Sequence, residues 1–400
     1  MSLASAPEPR RAALPTWVFL LGGAVVIVSI VVWACTRPRA AVDHWKQVAR
    51  ARRYFERGLP DLAFQEVAGI RDEAPGAPEA LTLAARALLS FGEISTARKT
   101  LEHSLQLKRD QADADKMLAA IYLSSGDGPR GITLLQHAAE LDPRDFRPWY
   151  ALGKVYHDLN DAGKAAEAYS EALRRSPPEA EANDSRVGRI RALLDARRVD
   201  QASADIAGAL VLMPDNPQLL GQAARHACEQ HRSDEAMKLA DRAITLDPNN
   251  FDAHLARARL HLLADRSRDA LADAGKAVEA NPRDLSALQL LMQIQSRLGL
   301  KEQAEATRSR FRETSTRRDV MVRLTHKITE HPDDPEPRCQ MGRAAYEDGS
   351  EELAAECFRA ALDLDPNYMP ARQALAILNR SRRETSAPAG PKPKPATAAK

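Results

Sequence analysis

Aromatic residues are scarce in this chain of 400 residues, where phenylalanine, tryptophan and tyrosine together make up 5%. Because strands favour aromatic and β-branched residues, this scarcity argues against a β-sandwich or a β-barrel. Alanine, leucine and charged residues dominate instead, and hydrophobic residues still account for 44% of the chain, enough for a substantial core. The composition therefore predicts an all-α protein.

A charge excess of either sign is also lacking, since 57 basic residues are balanced by 55 acidic ones and the net charge is +2. So small an imbalance provides no general attraction to nucleic acid or to an anionic membrane surface. The basic residues alternate with acidic ones, and few aromatic residues lie between them to stack on bases. We therefore expect no nucleic-acid partner.

The signatures of common enzymes are absent: there is no G-x-G-x-x-G, Walker loop, HExxH or nucleophile elbow. The four cysteines form no CxxC pair, which argues against structural zinc and against a disulfide framework. They are Cys35, Cys228, Cys339 and Cys357. We expect a protein that is not an enzyme and that binds no cofactor and no metal.

Two pairs of side chains have a spacing that could suggest metal ligands. His254 and His261 lie seven residues apart on one face of a predicted helix, and we interpret both as packing residues. Cys228 and His231 have helical spacing but lack a third or fourth ligand nearby, which argues against a metal there.

The longest uncharged run lies near the N-terminus, after a 16-residue tail. From Trp17 to Cys35 the run supplies 19 apolar residues, about enough to cross a bilayer as a helix. It predicts a transmembrane helix or signal anchor in a single-pass protein of the bacterial inner membrane. Arginines flank it on both sides, and their greater number after the run favours a cytoplasmic body. A body on the outer side, a cleaved signal peptide and a lipid anchor at Cys35 remain alternatives.

The rest of the chain repeats with a period of 34 residues. With Phe146 as position 1, the fourth unit has Trp149 at 4, Leu152 at 7, Gly153 at 8, Tyr156 at 11, Ala165 at 20, Tyr169 at 24, Ala172 at 27 and Pro177 at 32. In the same frame, nine units span residues 44–368. They begin at His44, Pro78, Ala112, Phe146, Asn183, Pro217, Phe251, Leu285 and Pro335.

Two positions of the 34-residue unit show the periodicity most clearly. Position 20 never holds a residue larger than alanine, and position 32 holds proline in most units. Small residues at positions 8 and 20 allow two helices to approach closely, and proline ends the second helix. A single pair cannot bury its apolar face, so neighbouring pairs must stack into a solenoid.

The residues at positions 4, 7, 8, 11, 20, 24, 27 and 32 resemble the W-L-G-Y-A-F-A-P motif of the tetratricopeptide repeat (TPR) family. The resemblance implies a right-handed α-solenoid of about nine helix pairs, whose first helices line a concave face that holds peptides. One interruption is a continuous helical pattern over residues 301–330, which predicts a lengthened second helix or an extra helix. Residues 369–383 are predicted to form a capping helix, and residues 384–400 a disordered tail rich in proline and lysine.

Position 9, which the resemblance places on the concave face, is basic in seven of nine units. These candidate partner-binding residues are Arg52, Arg86, Lys154, Arg191, Arg225, Arg259 and Arg343. They would form a cationic ladder for acidic peptides. The alternative is neutralisation within each helix, because five of them are followed four residues later by an acid. Those acids are Glu56, Asp158, Asp195, Glu229 and Glu347.

The predicted function is a membrane-anchored scaffold or adaptor that binds partner proteins or peptides on its concave face. Assembly of an envelope complex is one setting for such a protein. The alternatives are a structural protein that self-associates into homo-oligomers and a secreted or lipid-anchored repeat protein. The fold alone does not choose among them.

Overall fold

A computed structural model describes residues 43–386, where nineteen helices and no strand are found. The predicted N-terminal tail (1–16), the predicted span (17–35) and residues 387–400 lie outside this range. The helices are α1 His44–Glu56, α2 Pro60–Val67, α3 Ala77–Ser90, α4 Ile94–Leu107, α5 Ala112–Ser124, α6 Gly128–Leu141, α7 Arg147–Asp158, α8 Ala162–Arg174, α9 Glu179–Asp195, α10 Val199–Leu212, α11 Pro217–Glu229, α12 Ser233–Leu246, α13 Phe251–Leu263, α14 Ser267–Ala280, α15 Leu285–Arg297, α16 Lys301–Glu330, α17 Pro335–Glu347, α18 Glu351–Leu364 and α19 Met369–Ser386.

Consecutive helices pair, so that α1 and α2 form unit one and α17 and α18 form unit nine. Each pair packs on the next, as α8 does on α9 and α12 on α13. The last helix, α19, packs on unit nine through Ala371 and Leu378. The prediction of an all-α solenoid is confirmed for the described residues.

Position 20 shows why the repeat tolerates only small residues. All nine residues at this position are buried, from Ala63 in unit one to Ala354 in unit nine. At Gly131 an added Cβ would lie 2.6 Å from the side chain of Leu123 on the partner helix. The close approach predicted for the paired helices is therefore present.

A buried aromatic ring fills the space that position 8 leaves open. The ring of Tyr169 lies between Gly153 and Gly188, where added Cβ atoms would come within 2.7 Å and 2.5 Å of it. Unit nine repeats the arrangement with Gly342 and Phe358, at 2.6 Å. Small and large residues alternate because the helices interlock.

Every unit turns from its first to its second helix at position 15, where the backbone is left-handed. Glycine meets this demand without a steric penalty, and Asn and Asp tolerate it better than most residues. The nine residues are Gly58, Gly92, Gly126, Asn160, Arg197, His231, Asp265, Gly299 and Gly349. A sharp turn at this position sets the antiparallel pairing.

Side-chain caps and proline mark the boundary between units. Asn216, Asn250 and Asp284, one residue before units six to eight, each accept a hydrogen bond from the backbone N–H three residues on, as N-caps do. The second helix ends two residues before Pro143, Pro214, Pro248, Pro282 and Pro366. Position 32 therefore follows the helix end, as expected.

Two irregular segments differ from the regular pattern. Three residues more than the 34-residue period lie between units four and five, and α9, which begins at Glu179, takes them into a 17-residue helix. The segment 301–330 forms one continuous helix of 30 residues, α16, about 45 Å long at the usual rise. Helix α19 ends at Ser386, three residues later than predicted.

The long helix α16 brings unit nine back to the beginning of the solenoid. Arg338 in α17 forms an ion pair with Asp127, at the turn between α5 and α6. Arg98 in α4 forms a second ion pair, with Asp363 in α18. The last unit thus contacts units two and three, and the chain closes on itself.

The predicted membrane localisation must be corrected. Within residues 43–386, no helix is both long and apolar enough to cross a bilayer. A single-pass membrane protein is therefore not supported. The apolar run at residues 17–35 lies outside the described part of the chain.

Two glycine-to-alanine substitutions, which should change the free energy of unfolding in opposite directions, test the packing. Gly153→Ala should lower the free energy of unfolding by about 1–3 kcal/mol, because the new methyl group collides with the Tyr169 ring, which Gly188 blocks from behind. Gly208→Ala, in α10 where a Cβ meets nothing within 4 Å, should raise it by about 0.5–1 kcal/mol through helix propensity. Urea denaturation measures both. A Gly153→Ala protein as stable as wild type would contradict the packing.

Candidate functional site

A cavity of about 650 Å³ lies along the first helices of units two, three and four. Leu83 from α3 and Met117 and Ile121 from α5 supply apolar side chains, while Arg86, Lys116 and Arg147 supply charge. Leu83, Met117 and Ala151 share repeat position 6, on the face that the family resemblance makes concave. The cavity combines an apolar lining with three cationic groups and one carboxylate, that of Asp113.

A second cavity of about 520 Å³ adjoins the first and extends it to unit one. It shares Leu83 and Arg86 with the first cavity and adds Arg52, Phe55 and Lys108. Its charge is mixed, because five acidic residues also line it: Glu56, Glu79, Asp110, Asp113 and Asp142. The Arg86 guanidinium lies over the Phe55 ring, 4.9 Å from its centre, a cation–π contact. Together the two cavities form one elongated depression along α1, α3, α5 and α7, called the groove below.

A buried carboxylate holds two of the groove's cations in place. Asp145 accepts hydrogen bonds from Lys116 Nζ at 2.7 Å and from Arg147 Nε at 2.8 Å. Burial alone would raise the pKa of Asp145, but the hydrogen bonds from Arg147 and Lys116 outweigh it and hold the pKa well below its usual value. Lys116 also contacts Asp113, at 2.8 Å.

The basic residues at position 9 divide into two groups. Four of them have no carboxylate within ion-pairing distance among the described residues: Arg52, Arg86, Lys154 and Arg343. Arg86 and Lys154 instead lie over aromatic rings, Lys154 at 5.6 Å from the centre of Tyr150. Of this first group, Arg52 and Arg86 line the groove.

The second group, in units five to seven, is neutralised by ion pairs between units. Arg225 contacts Asp195 of the preceding unit at 2.8 Å and Asp252 of the next unit at 3.3 Å. Arg191 reaches the same buried Asp252 at 3.3 Å, and Arg259 lies 3.9 Å from Glu229. Burial would lower the pKa of Arg225, but Asp252 and Asp195 raise it.

Neutralisation within each helix, the alternative drawn from the sequence, is therefore only partly correct. Of the five pairs at a spacing of four, Arg225 with Glu229 is within ion-pairing distance, at 4.0 Å. The more important partner is Asp252, at position 2 of the following unit and 27 residues after Arg225. The same 27-residue offset joins Arg52 to Glu79 and Arg86 to Asp113, which form no ion pair in the described part of the chain, so the spacing alone does not indicate the pairing.

Lys116 and Arg147 were not among the residues predicted for the site. They occupy positions 5 and 2 of units three and four, and no other unit carries a basic residue at position 5. Comparing the residues at one repeat position across the units detects only features that recur from unit to unit. A one-time substitution such as Lys116 gives no such signal.

The histidines considered as ligands lie in the interior of unit seven. His254 is buried and contacts Asp273 Oδ1 through Nδ1 at 2.9 Å and the carbonyl of Pro248 through Nε2 at 2.9 Å. His261 lies 3.5 Å from the same carboxylate. Within the described part of the chain, no group of three or more His, Cys, Asp or Glu side chains is placed to hold a metal ion.

Comparison with known families matches the repeat frame. The family description "Tetratricopeptide repeat" matches residues 116–180, 187–251 and 222–284. A second family model with the same description matches residues 335–368, the whole of unit nine.

Curated relatives are distant. The chain is 22% identical over 257 residues to DnaJ homolog subfamily C member 3 of Gallus gallus, covering 63% of this chain and 46% of that protein. It is 23% identical over 210 residues to U-box domain-containing protein 70 of Oryza sativa subsp. japonica, covering 52% of this chain and 26% of that protein. The chain thus matches less than half the length of either relative.

Among solved structures, the chain is similar to a tetratricopeptide repeat protein from Parabacteroides merdae. The TM-score is 0.43 and the sequence identity 15%. The match covers 63% of this chain and 98% of that one.

The role of Asp145 in orienting the groove cations gives a pH-dependent prediction. Asp145→Asn should lower the free energy of unfolding at pH 7 by about 1.5–3 kcal/mol, because hydrogen bonds to a charged acceptor are lost. The folded pKa of Asp145 is lowered, so its stabilisation is present above the unfolded pKa of about 3.9 and is lost as the pH falls through the folded pKa. In urea denaturation, the difference in the free energy of unfolding between the wild type and Asp145→Asn should therefore shrink from pH 7 to pH 3.

The control is Asp142→Asn, at an exposed aspartate in the same loop that accepts a hydrogen bond from the Arg144 N–H. This change should alter stability by less than about 0.5 kcal/mol. A difference for Asp145→Asn that stays constant down to pH 3 would contradict the assignment.

Proposed function

We propose that this chain, which carries tetratricopeptide repeats, is a non-catalytic binding protein that holds segments of partner proteins in the groove of units one to four. The observation that carries the proposal is the position of Arg86, which lines both adjoining cavities without a carboxylate partner among the described residues. An unpaired guanidinium next to an apolar floor suits a segment that has both an apolar and an acidic side chain.

The size and lining of the groove support this proposal. A volume of about 650 Å³ lies within the range of about 300–1,000 Å³ usual for ligand sites, and the second cavity lengthens it. Solenoids use extended surfaces of this kind rather than deep pockets. The bound segment would place apolar side chains near Leu83, Met117 and Ile121 and a carboxylate near Arg86.

The ion pairs between units explain why the proposed site is confined to the first part of the solenoid. Arg191, Arg225 and Arg259 already have carboxylates within 4 Å. A partner's carboxylate would have to displace these acids or leave one of them without its partner. Acidic partners are therefore proposed for units one to four and not for the whole ladder.

The test uses two alanine variants at the same repeat position. A phage library of random 12-residue segments is selected on the full-length protein, and the strongest peptide is titrated by calorimetry. Arg86→Ala should weaken its affinity about tenfold, the effect of one charge-assisted hydrogen bond. Arg259→Ala, the position 9 control in unit seven beside Glu229, should change it less than about twofold.

Two results would contradict the proposal. Equal losses in both variants would extend the binding site along the whole ladder. An unchanged affinity in Arg86→Ala would remove the groove as the site. The selected sequences provide a further check, since the proposal expects aliphatic or aromatic residues next to Asp or Glu.

A further inference from the structure

The contact between unit nine and the start of the solenoid is centred on a buried ion pair. Arg338 Nη2 lies 2.5 Å from Asp127 Oδ2, and the two side chains are 2% and 3% exposed. These residues are 211 positions apart in the sequence. Each of these buried charges depends on the other. If one side chain were removed, the remaining charge would stay buried without its opposite charge and would destabilise the contact.

A hydrogen bond and close packing surround this ion pair. The Cys357 thiol donates to the carbonyl oxygen of Ser125, with Sγ 3.5 Å from that oxygen. An added Cβ at Gly126 would lie 2.8 Å from Met341 Sδ and 3.3 Å from Cys357 Sγ. The turn of unit three therefore sits directly against α17 and α18. These contacts define the seam: residues 125–127 on one side, and Arg338, Met341 and Cys357 on the other.

More exposed ion pairs border the seam. Arg98 pairs with Asp363 at 2.6 Å, and Arg130 with Asp333 at 3.2 Å. Asp333 is 91% exposed, so the second pair is worth little by itself. The strength of the seam therefore lies in the buried pair and the contacts around Cys357.

The covalent connection between unit eight and unit nine is a single stretch of helix, and Arg283, in the turn before unit eight, pairs with Asp348 of unit nine at 2.5 Å. Between residues 308 and 323 of α16, no side chain is fully buried, whereas Ala304 and Thr307 before this stretch and Leu324 and Ile328 after it are buried. Leu324 and Ile328 pack with Met341 and Cys357. The end of α16 therefore belongs to unit nine, and little packing fixes the stretch that joins it to unit eight.

From these contacts we infer that unit nine, with the end of α16 and with α19, is a latch that closes the solenoid by seating on the turns of units two and three and opens as a body. The seam is the weak boundary because one buried ion pair, two more exposed pairs and a few contacts around Cys357 hold it, whereas unit nine has its own apolar cluster around Cys339, Phe358 and Leu378. Opening separates Asp127 from Arg338 and uncovers Cys357.

The latch also borders the groove. Ile94 and Ile121 line both the first groove cavity and a cavity of about 190 Å³ against α18. Opening would thus change one wall of the groove. This link rests on the proposed function, whereas the latch itself is tested without any binding partner.

Two buried cysteines distinguish opening from unfolding. Cys357 faces the seam, while Cys339 lies in the apolar cluster of unit nine, and both are fully buried. Burial raises the pKa of both thiols, that of Cys357 to about 12. The experiment uses the full-length chain with Cys35→Ser and Cys228→Ser, and follows maleimide labelling of the two remaining thiols by mass spectrometry.

Asp127→Asn removes the carboxylate that faces Arg338 and, at 3.7 Å, Arg130. The amide oxygen of asparagine can still accept the hydrogen bond from the Arg130 N–H that caps α6, but the charge opposite Arg338 is gone. Labelling of Cys357 should accelerate at least about tenfold while Cys339 stays protected, because a buried arginine without its partner destabilises the closed state. Asp363→Asn, which removes the charge opposite Arg98, should accelerate the labelling of Cys357 by a smaller factor of about two to three.

The matched control is Asp161→Asn. Asp161 occupies the same repeat position in unit four, caps α8 through the Lys164 N–H and pairs with the exposed Lys164. It should leave both labelling rates unchanged. An unchanged Cys357 rate in Asp127→Asn, or equal acceleration of Cys339, would overturn the inference, the second because unit nine would then unfold rather than open.

Discussion

The close approach of the two helices in each unit is the constraint on which the rest of this structure depends. Position 20 is buried in every unit and holds nothing larger than alanine, and the left-handed residue at position 15 makes the sharp turn that pairs the helices. Once paired, the helices expose apolar faces that only the next unit can cover. The groove and the closing contact of unit nine are both consequences of that stacking.

Charge distinguishes units that the packing makes alike. Basic residues recur at position 9, but what each one contacts depends on its neighbours: Asp252 neutralises Arg191 and Arg225, while Arg86 lies against an aromatic ring. A surface with a uniform sequence pattern thus has a paired part and an unpaired part. We propose binding in units one to four because Arg52 and Arg86, which line the groove, need give up no existing carboxylate partner.

Features that recur every 34 residues could be predicted from the sequence, because each unit packs its two helices through small residues at the same repeat positions. Ala165, Gly153 and Pro177 are enough to indicate the helix pairs and their ends. Contacts that occur once could not be predicted in this way. The Arg338–Asp127 pair joins residues 211 apart and has no counterpart among the other described units, and Lys116 is the one basic residue at its repeat position.

The most direct test of the account places a photo-crosslinking amino acid at Ala120 or at Gln293 in the full-length chain. Both residues are exposed and both occupy position 9, in units three and eight, but only Ala120 lines the groove. Irradiation in cells that express the chain should attach partner segments at position 120 and not at position 293, and mass spectrometry should map them to sequences with acidic and apolar residues. Equal crosslinking at both positions, or crosslinking at 293 alone, would contradict a binding site confined to the first four units.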